Sequence, residues 1–237
     1  MRKAVTDQAD GLRRLMAASP GRQVAVIGCE GQGVARFTRN LAAALAQEGK
    51  DVLLIDERDG VQPAGVQGEG RLLLVHAELD LHGALSPWAA RSDHILVVLQ
   101  AHAASIKASY ACIKGLHHAH ALQCLRVLVD GAADAVEAQR ILANLAQAGR
   151  RYLSLALEPA GWVRADPHLA RAQRLNATVV DAFGNSPAAM DYRQIASSLL
   201  QWPQPRALER GPSPPPETTT GRQVAFAPAL NYGFQIQ

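Results

Sequence analysis

The fold is decided by the stretch Val24-Ala25-Val26-Ile27 and the loop that follows it, Gly28-Cys29-Glu30-Gly31-Gln32-Gly33-Val34-Ala35. The short apolar run, rich in branched side chains, predicts a buried strand. The glycines after it have the G-x-x-x-x-G frame of a phosphate-binding loop. Residues 35–47 then have the pattern of a helix that ends at Gly49. A strand, a glycine-rich turn and a helix in this order predict the first unit of a parallel α/β sheet.

The loop lacks the side chains of a hydrolytic phosphate-binding loop. In such loops a lysine that neutralises the phosphates and a Ser or Thr that binds magnesium follow the last glycine. Val34 and Ala35 occupy these two places, and neither can do either task. Glu30 adds a carboxylate where phosphate charge would gather, and Arg36 lies beside the loop. Two interpretations remain open: a turn that binds nothing, and a nucleotide held mainly by backbone N–H groups.

The chain on either side of this loop alternates between strand-like and helix-like segments. The predicted strands are residues 24–27, 52–55, 72–75, 95–99, 125–129, 152–157 and 178–180. The predicted helices are residues 35–47, 104–117, 135–147, 167–175 and 187–200. Apolar strands that alternate with helices are typical of a mostly parallel sheet with helices on both faces. We therefore expect ligands beyond the carboxyl ends of the strands.

Composition divides the chain into three parts. Residues 1–20 read as a helical leader, because one face of a helix would carry Val5, Ala9, Leu12, Leu15 and Met16. Residues 21–202 form the predicted α/β domain. Residues 203–237 contain seven of the thirteen prolines and are predicted to be a disordered tail.

Charge and composition exclude several classes of function. The chain has 24 Lys and Arg against 21 Asp and Glu, and this net charge of +3 does not predict nucleic-acid binding. No apolar run is long enough to span a bilayer, and the tail has no amphipathic helix, so membrane recruitment is not expected. The three cysteines have no C-x-x-C spacing, and His76, His82, His94 and His102 have no ligand spacing. A cluster at a helix end, His117, His118 and His120, is expected to cap backbone carbonyls, so no metal site is predicted.

Several short motifs occur together in a characteristic order. The leader contains Asp7-Gln8-Ala9 and Gly11-Leu12-Arg13-Arg14-Leu15; further motifs are Asn40-Leu41-Ala42, residues 49–56, residues 93–114 and residues 161–166. On these motifs the chain resembles the MinD/ParA-type ATPases over residues 6–200. Within them it resembles the regulators of flagellar number known as FlhG or FleN. The resemblance implies a P-loop NTPase fold of the MinD type.

The chain departs from that family at the positions that carry its chemistry. The resemblance assigns a second lysine to position 29, where this chain has Cys29. Of two switch carboxylates after the second strand, Asp56 is kept, and Arg58 replaces the other with Asp59 one place further on. His76 stands where a second switch aspartate would end the third strand, and Asp130 stands where an asparagine would read the adenine base. The segment of residues 57–70 is also shorter than the family pattern.

The resemblance implies a regulatory function, and the departures from the family imply that ATP hydrolysis is lost. We expect a cytoplasmic regulator of flagellar number, placement or biosynthesis, with the cell pole as a candidate location. Its leader, through Asp7, Gln8, Ala9, Leu12, Arg13 and Leu15, would bind a flagellar GTPase of the FlhF type. Further candidate partners are a flagellar transcription activator and a basal-body component. No cofactor is expected, although weak binding of ATP with magnesium remains open. The alternative is an ATP-binding MinD-like ATPase with residual nucleotide-dependent dimerisation.

Overall fold

A computed structural model describes residues 21–28, 33–59 and 71–203. The predicted leader, the predicted tail and loop residues 29–32 lie outside these ranges, so the predictions made for them remain predictions. The described residues form a six-stranded parallel sheet in the order β2-β3-β1-β4-β5-β6. The strands are β1 (Arg22–Gly28), β2 (Val52–Asp56), β3 (Leu72–His76), β4 (His94–Gln100), β5 (Cys124–Ala132) and β6 (Ala156–Arg164).

Helices cover both faces of the sheet. They are α1 (Val34–Gln47), α2 (Ala103–His120), α3 (Ala135–Leu153), α4 (Pro167–Arg174), α5 (Val179–Ala182) and α6 (Pro187–Leu200). One buried cluster joins α1, α4, α5 and α6 to Val24 and Val26 of β1. The other joins α2 and α3 to Ala25 and Ile27 of the same strand. Successive side chains of β1 therefore face opposite layers, as expected for a strand buried on both sides. The α/β class is confirmed.

Strand register places the polar ends of the strands side by side. His76 is level with Val26 of β1 and with Asp56 of β2. On the other side of β1, Gly28 is level with Val98 of β4, and Gln100 is level with Asp130 of β5. Because all strands are parallel, these residues share one edge, which we call the carboxyl edge. The glycine loop begins at its centre.

Two of the predicted strands are wrong. Residues 178–180 belong to a helical turn, because the Thr178 hydroxyl accepts the N–H of Asp181 and starts α5. The strand predicted at residues 152–157 is displaced, since α3 continues to Leu153 and β6 runs from Ala156 to Arg164. β6 has one neighbouring strand and contains Pro159 and Gly161. An edge strand with these residues lacks the continuous apolar pattern that marks a central strand.

The parallel strands all begin at the edge opposite the carboxyl edge, which we call the amino edge. Contacts between the first strand and the end of the last helix lie there. Arg22 donates to the carbonyl oxygens of Leu199 at 2.6 Å and Trp202 at 2.8 Å. The Trp202 ring is 7% exposed, with the Arg126 guanidinium 4.3 Å from its centre. This amino edge is where the chain enters and leaves the domain. No helix in the described ranges is long and apolar enough to cross a bilayer.

Candidate functional site

The turn between β1 and α1 is packed with apolar atoms at the position that the resemblance assigns to the phosphate-binding lysine. Val34 is the first residue of α1 and is 3% exposed. A methyl group on Gly28 would overlap Cγ2 of Val34, so only glycine fits at the end of β1. Val34 thus belongs to the core and offers no charge to a ligand. Ala35, the next residue, is half-buried and has no hydroxyl.

Arg36 closes the space above β4 and β5 by binding Asp130. Its Nη2 donates to Oδ2 of Asp130 at 2.7 Å. Gln100, the last residue of β4, donates to the same oxygen from Nε2 at 2.9 Å. The Gln100 amide also approaches Gly33, since a methyl group there would lie 2.8 Å from Nε2. The first turn of α1 is therefore connected to the ends of two strands through one carboxylate.

The Asp130 carboxylate is completely buried, and only one of its two oxygens accepts hydrogen bonds within the described ranges. Its side chain is 0% exposed, whereas that of Arg36 is 30% exposed. Within the described ranges, Oδ1 of Asp130, Nε of Arg36 and the Tyr192 hydroxyl have no hydrogen-bond partner. Burial, with a contribution from the charge of Asp130, raises the pKa of Tyr192 far above its usual value. Arg36, Gln100 and Asp130 thus form a buried polar cluster that connects α1 to the sheet.

A second cluster of ionic contacts lies at the ends of β2 and β3. Oδ1 and Oδ2 of Asp56 accept Nε and Nη2 of Arg58 at 3.0 and 2.6 Å. His76 is 5% exposed, and its Nδ1 lies 3.0 Å from Oδ2 of Asp56. The Arg58 guanidinium, assisted by His76, holds the pKa of the Asp56 carboxyl far below its usual value. Asp56 is thus an ionised carboxylate whose two oxygens are both engaged. Asp59 is exposed, in a short turn that follows β2.

A polar groove of about 220 Å³ runs beside the start of α1. Its walls come from α1, from α4 and from the turn before α5, and they include Arg36, Arg39, Asn40, Gln173, Asn176 and Thr178. Asn40 is buried and ties these walls together: its Oδ1 accepts the Val179 N–H at 2.7 Å, and its Nδ2 donates to the Arg36 carbonyl at 2.8 Å. The groove offers hydrogen-bonding groups and two arginines on one side of the carboxyl edge.

The structure brings most of the described candidate residues to one edge and divides them into two groups. Gly28, Gly33, Val34, Ala35, Arg36 and Asp130 lie around the start of α1, while Asp56, Asp59 and His76 lie beyond β2 and β3. Cys29, Glu30, Gly31 and Gln32 are outside the described residues. Gln100 and Tyr192 were not among the site residues predicted from the sequence. The available signal for Gln100 was a polar residue directly after the apolar run of residues 95–99.

The described residues do not fit a magnesium nucleotide held in the manner that the resemblance implies. That manner needs an ammonium group at position 34, a hydroxyl at position 35 and a carboxylate free to reach magnesium. Position 34 is apolar and buried, position 35 is an alanine, and Asp56 is bound by Arg58 and His76. Within the described ranges, no group of three or more His, Cys, Asp or Glu side chains could hold a metal ion.

Comparison with known proteins supports the resemblance at two levels. No protein family profile matches the sequence. Over 134 residues, 56% of this chain, the sequence is 26% identical to the antiactivator FleN of Pseudomonas aeruginosa, and the match spans 48% of that protein's length. The matched segment is thus about half of the relative.

Solved structures show the fold. MinD of Aquifex aeolicus superposes with a TM-score of 0.57 at 16% identity, covering 78% of this chain and 98% of that one. MinD of Pyrococcus horikoshii, solved with Mg-ADP, gives 0.54 at 12% identity and covers 76% and 96%. A ParA family ATPase of Chlorobium tepidum gives 0.50 at 11% identity and covers 74% and 98%. The chain therefore has a MinD/ParA-type fold and a FleN-like sequence segment, and the family resemblance seen in the sequence is confirmed.

Proposed function

We propose that this chain regulates flagellar number, placement or biosynthesis by binding other proteins, and that it has lost ATP hydrolysis. The observation that carries the proposal is the combination of a FleN-like segment with a carboxyl edge whose charges pair with one another. Arg36 is committed to Asp130, and Asp56 is committed to Arg58 and His76. Among the described residues of this edge, no lysine, hydroxyl or unpaired switch carboxylate occupies a position that the resemblance assigns to phosphoryl transfer. Binding to another protein requires none of these groups.

The proposed partner is a flagellar GTPase of the FlhF type, bound by the leader of residues 1–20. The leader's Asp7, Gln8, Ala9, Leu12, Arg13 and Leu15 carry this assignment from the sequence alone. A flagellar transcription activator, which the antiactivator role of the relative suggests, and a basal-body component are further candidates. We place the protein in the cytoplasm, with recruitment to the cell pole through the GTPase.

The partner proposal is tested by pull-down and calorimetry with the FlhF-type GTPase of the same organism. The full chain should bind, and a chain beginning at residue 21 should not, while both unfold cooperatively at the same midpoint temperature. Leu12→Asp should weaken binding at least about tenfold, because it places a charge on the apolar face of the leader. Leu81→Asp is the matched control, since Leu81 is fully exposed. Equal binding by the chain lacking residues 1–20 would refute the leader as the contact.

A second candidate function is ATP binding with residual nucleotide-dependent dimerisation. The polar groove beside α1 favours it, because Arg36 and Arg39 there could meet phosphate charge. Calorimetry with ATP and ADP, each with magnesium, separates the two candidates. Our first proposal predicts no heat of binding up to millimolar nucleotide. Arg39 is exposed, so Arg39→Ala tests the groove without disturbing the core. Micromolar binding that is lost in this variant would favour the second candidate and overturn the prediction that the chain does not bind nucleotide.

A further inference from the structure

An apolar groove lies between α2 and α3, on the face of the sheet opposite α1. It has a volume of about 460 Å³ and a floor made chiefly of Ile106, Tyr110, Ile141 and Leu145. Ile141 and Leu145 are 7% and 4% exposed, so the floor is continuous with the core beneath it. Ile106 and Tyr110 are half-buried and form the α2 side of the floor. The two helices do not close over this floor.

The rim of the groove is positively charged. Lys107 on α2 and Arg140 on α3 stand on opposite sides, and neither forms an ion pair within the described ranges. α2 contains no Asp or Glu. The one acidic residue of α3, Glu137, accepts the Ala133 N–H at 2.7 Å at the start of the helix. The amino end of α2, whose first residue Ala103 lines the groove, adds partial positive charge there.

We propose that this groove binds an amphipathic helix of a partner protein, with an apolar stripe and a carboxylate on each flank. Ile106 and Tyr110 are one helical turn apart, as are Ile141 and Leu145. They form two parallel ridges, and a third helix fits in the depression between such ridges. Lys107 and Arg140 then face the two flanks of the bound helix.

The composition of the groove selects this occupant. Its lining is mainly apolar, with cations only at the sides, which matches the layout of an amphipathic helix and its flanking charges. A nucleic-acid backbone would need a continuous row of cations, and the floor provides none. The proposal rests on these side chains alone and is independent of the flagellar role.

The test uses the full chain and two labelled 16-residue peptides. One is a designed helix with leucines along one face and glutamates on both flanks; the other has lysines in place of the glutamates. Fluorescence anisotropy should show saturable binding of the glutamate peptide and at least about tenfold weaker binding of the lysine peptide. Lys107→Glu with Arg140→Glu should weaken the glutamate peptide about tenfold or more and strengthen the lysine peptide.

Two further variants separate a specific groove from general attraction to a basic protein. Lys114→Glu with Arg151→Glu changes the same net charge on the same two helices, at exposed positions outside the groove, and should alter affinity less than about twofold. Asn144→Trp, at an exposed position of the lining, should obstruct the floor and weaken both peptides. Absence of saturable binding, or an equal loss in the Lys114 and Arg151 double variant, would overturn the proposal.

Discussion

At the scale of single residues, Asp130 is a completely buried carboxylate at the carboxyl edge. A carboxyl group with no exposed surface is costly unless donors bind it, and here Arg36 and Gln100 both donate to one oxygen. The pair fixes the first turn of α1 against β4 and β5. Arg36 is then not available to replace a phosphate-binding lysine unless Asp130 releases it.

We expect Asp130→Ala to lower the free energy of unfolding by about 3 kcal/mol, because it leaves Arg36 and Gln100 without their shared acceptor. Asp51→Ala is the matched control. It removes a carboxylate that binds Arg71 at 2.6 Å with both side chains more than half exposed. Its cost should be below about 1 kcal/mol. Urea unfolding followed by circular dichroism measures both, and equal losses would contradict the structural role given to Asp130.

Asp56 should make stability depend on acid pH. Its pKa is lowered in the folded state by Arg58 and, to a lesser extent, by His76, so its stabilising contribution is complete well above about pH 4. The contribution is lost as pH falls below about 4 towards the depressed pKa. Asp56→Asn should therefore reduce stability at pH 6 and differ less from the original chain at pH 3. Asp59→Asn, at an exposed position nearby, should follow the original chain at both values.

At the scale of elements, the position of α1 depends on one buried amide. Asn40 accepts the Val179 N–H at the start of α5 and donates to the Arg36 carbonyl within α1. We expect Asn40→Leu to cost about 2 kcal/mol in the free energy of unfolding, because it leaves a buried N–H unpaired. Asn144→Leu, at an exposed position of α3, should be nearly neutral. A small effect at Asn40 would show that water satisfies Val179.

The elements also show what a sequence can reveal and what it cannot. The central strands β1, β3, β4 and β5 were predictable, because burial on both faces requires a continuous apolar run. β2 lies at an edge of the sheet but still has an apolar run in residues 52–55, which made it predictable too. β6 was displaced in the prediction, because an edge strand with Pro159 and Gly161 has no such run. The four-residue helix α5 was taken for a strand, since Val179 and Val180 favour strands, while the Thr178 cap and tertiary burial decide the structure.

At the scale of the whole molecule, the sequence predicted strand ends near Asp56, His76 and Asp130, but it predicted neither the contribution of Gln100 nor how these side chains pair. Parallel strands bring their ends together, so Asp56, His76 and Asp130 could be placed from strand order alone. The Arg36–Asp130 bond joins residues 94 positions apart. It depends on the side-chain direction in the first turn of α1, which periodicity does not specify. Gln100 was not predicted as a site residue, because the pattern of the sequence does not show that its side chain is directed towards Asp130.

The contacts of Arg22 with Leu199 and Trp202 have a practical consequence for the orientation of the domain. Both ends of the α/β domain, residues 21 and 203, lie at the amino edge of the sheet. A tether fused before residue 21 or after residue 203 is therefore attached at the same edge of the domain. A sensor surface that captures the protein by either fusion therefore presents the Arg36–Asp130 and Asp56–Arg58 pairs outward. Immobilisation by one end or the other should yield the same access to the carboxyl edge.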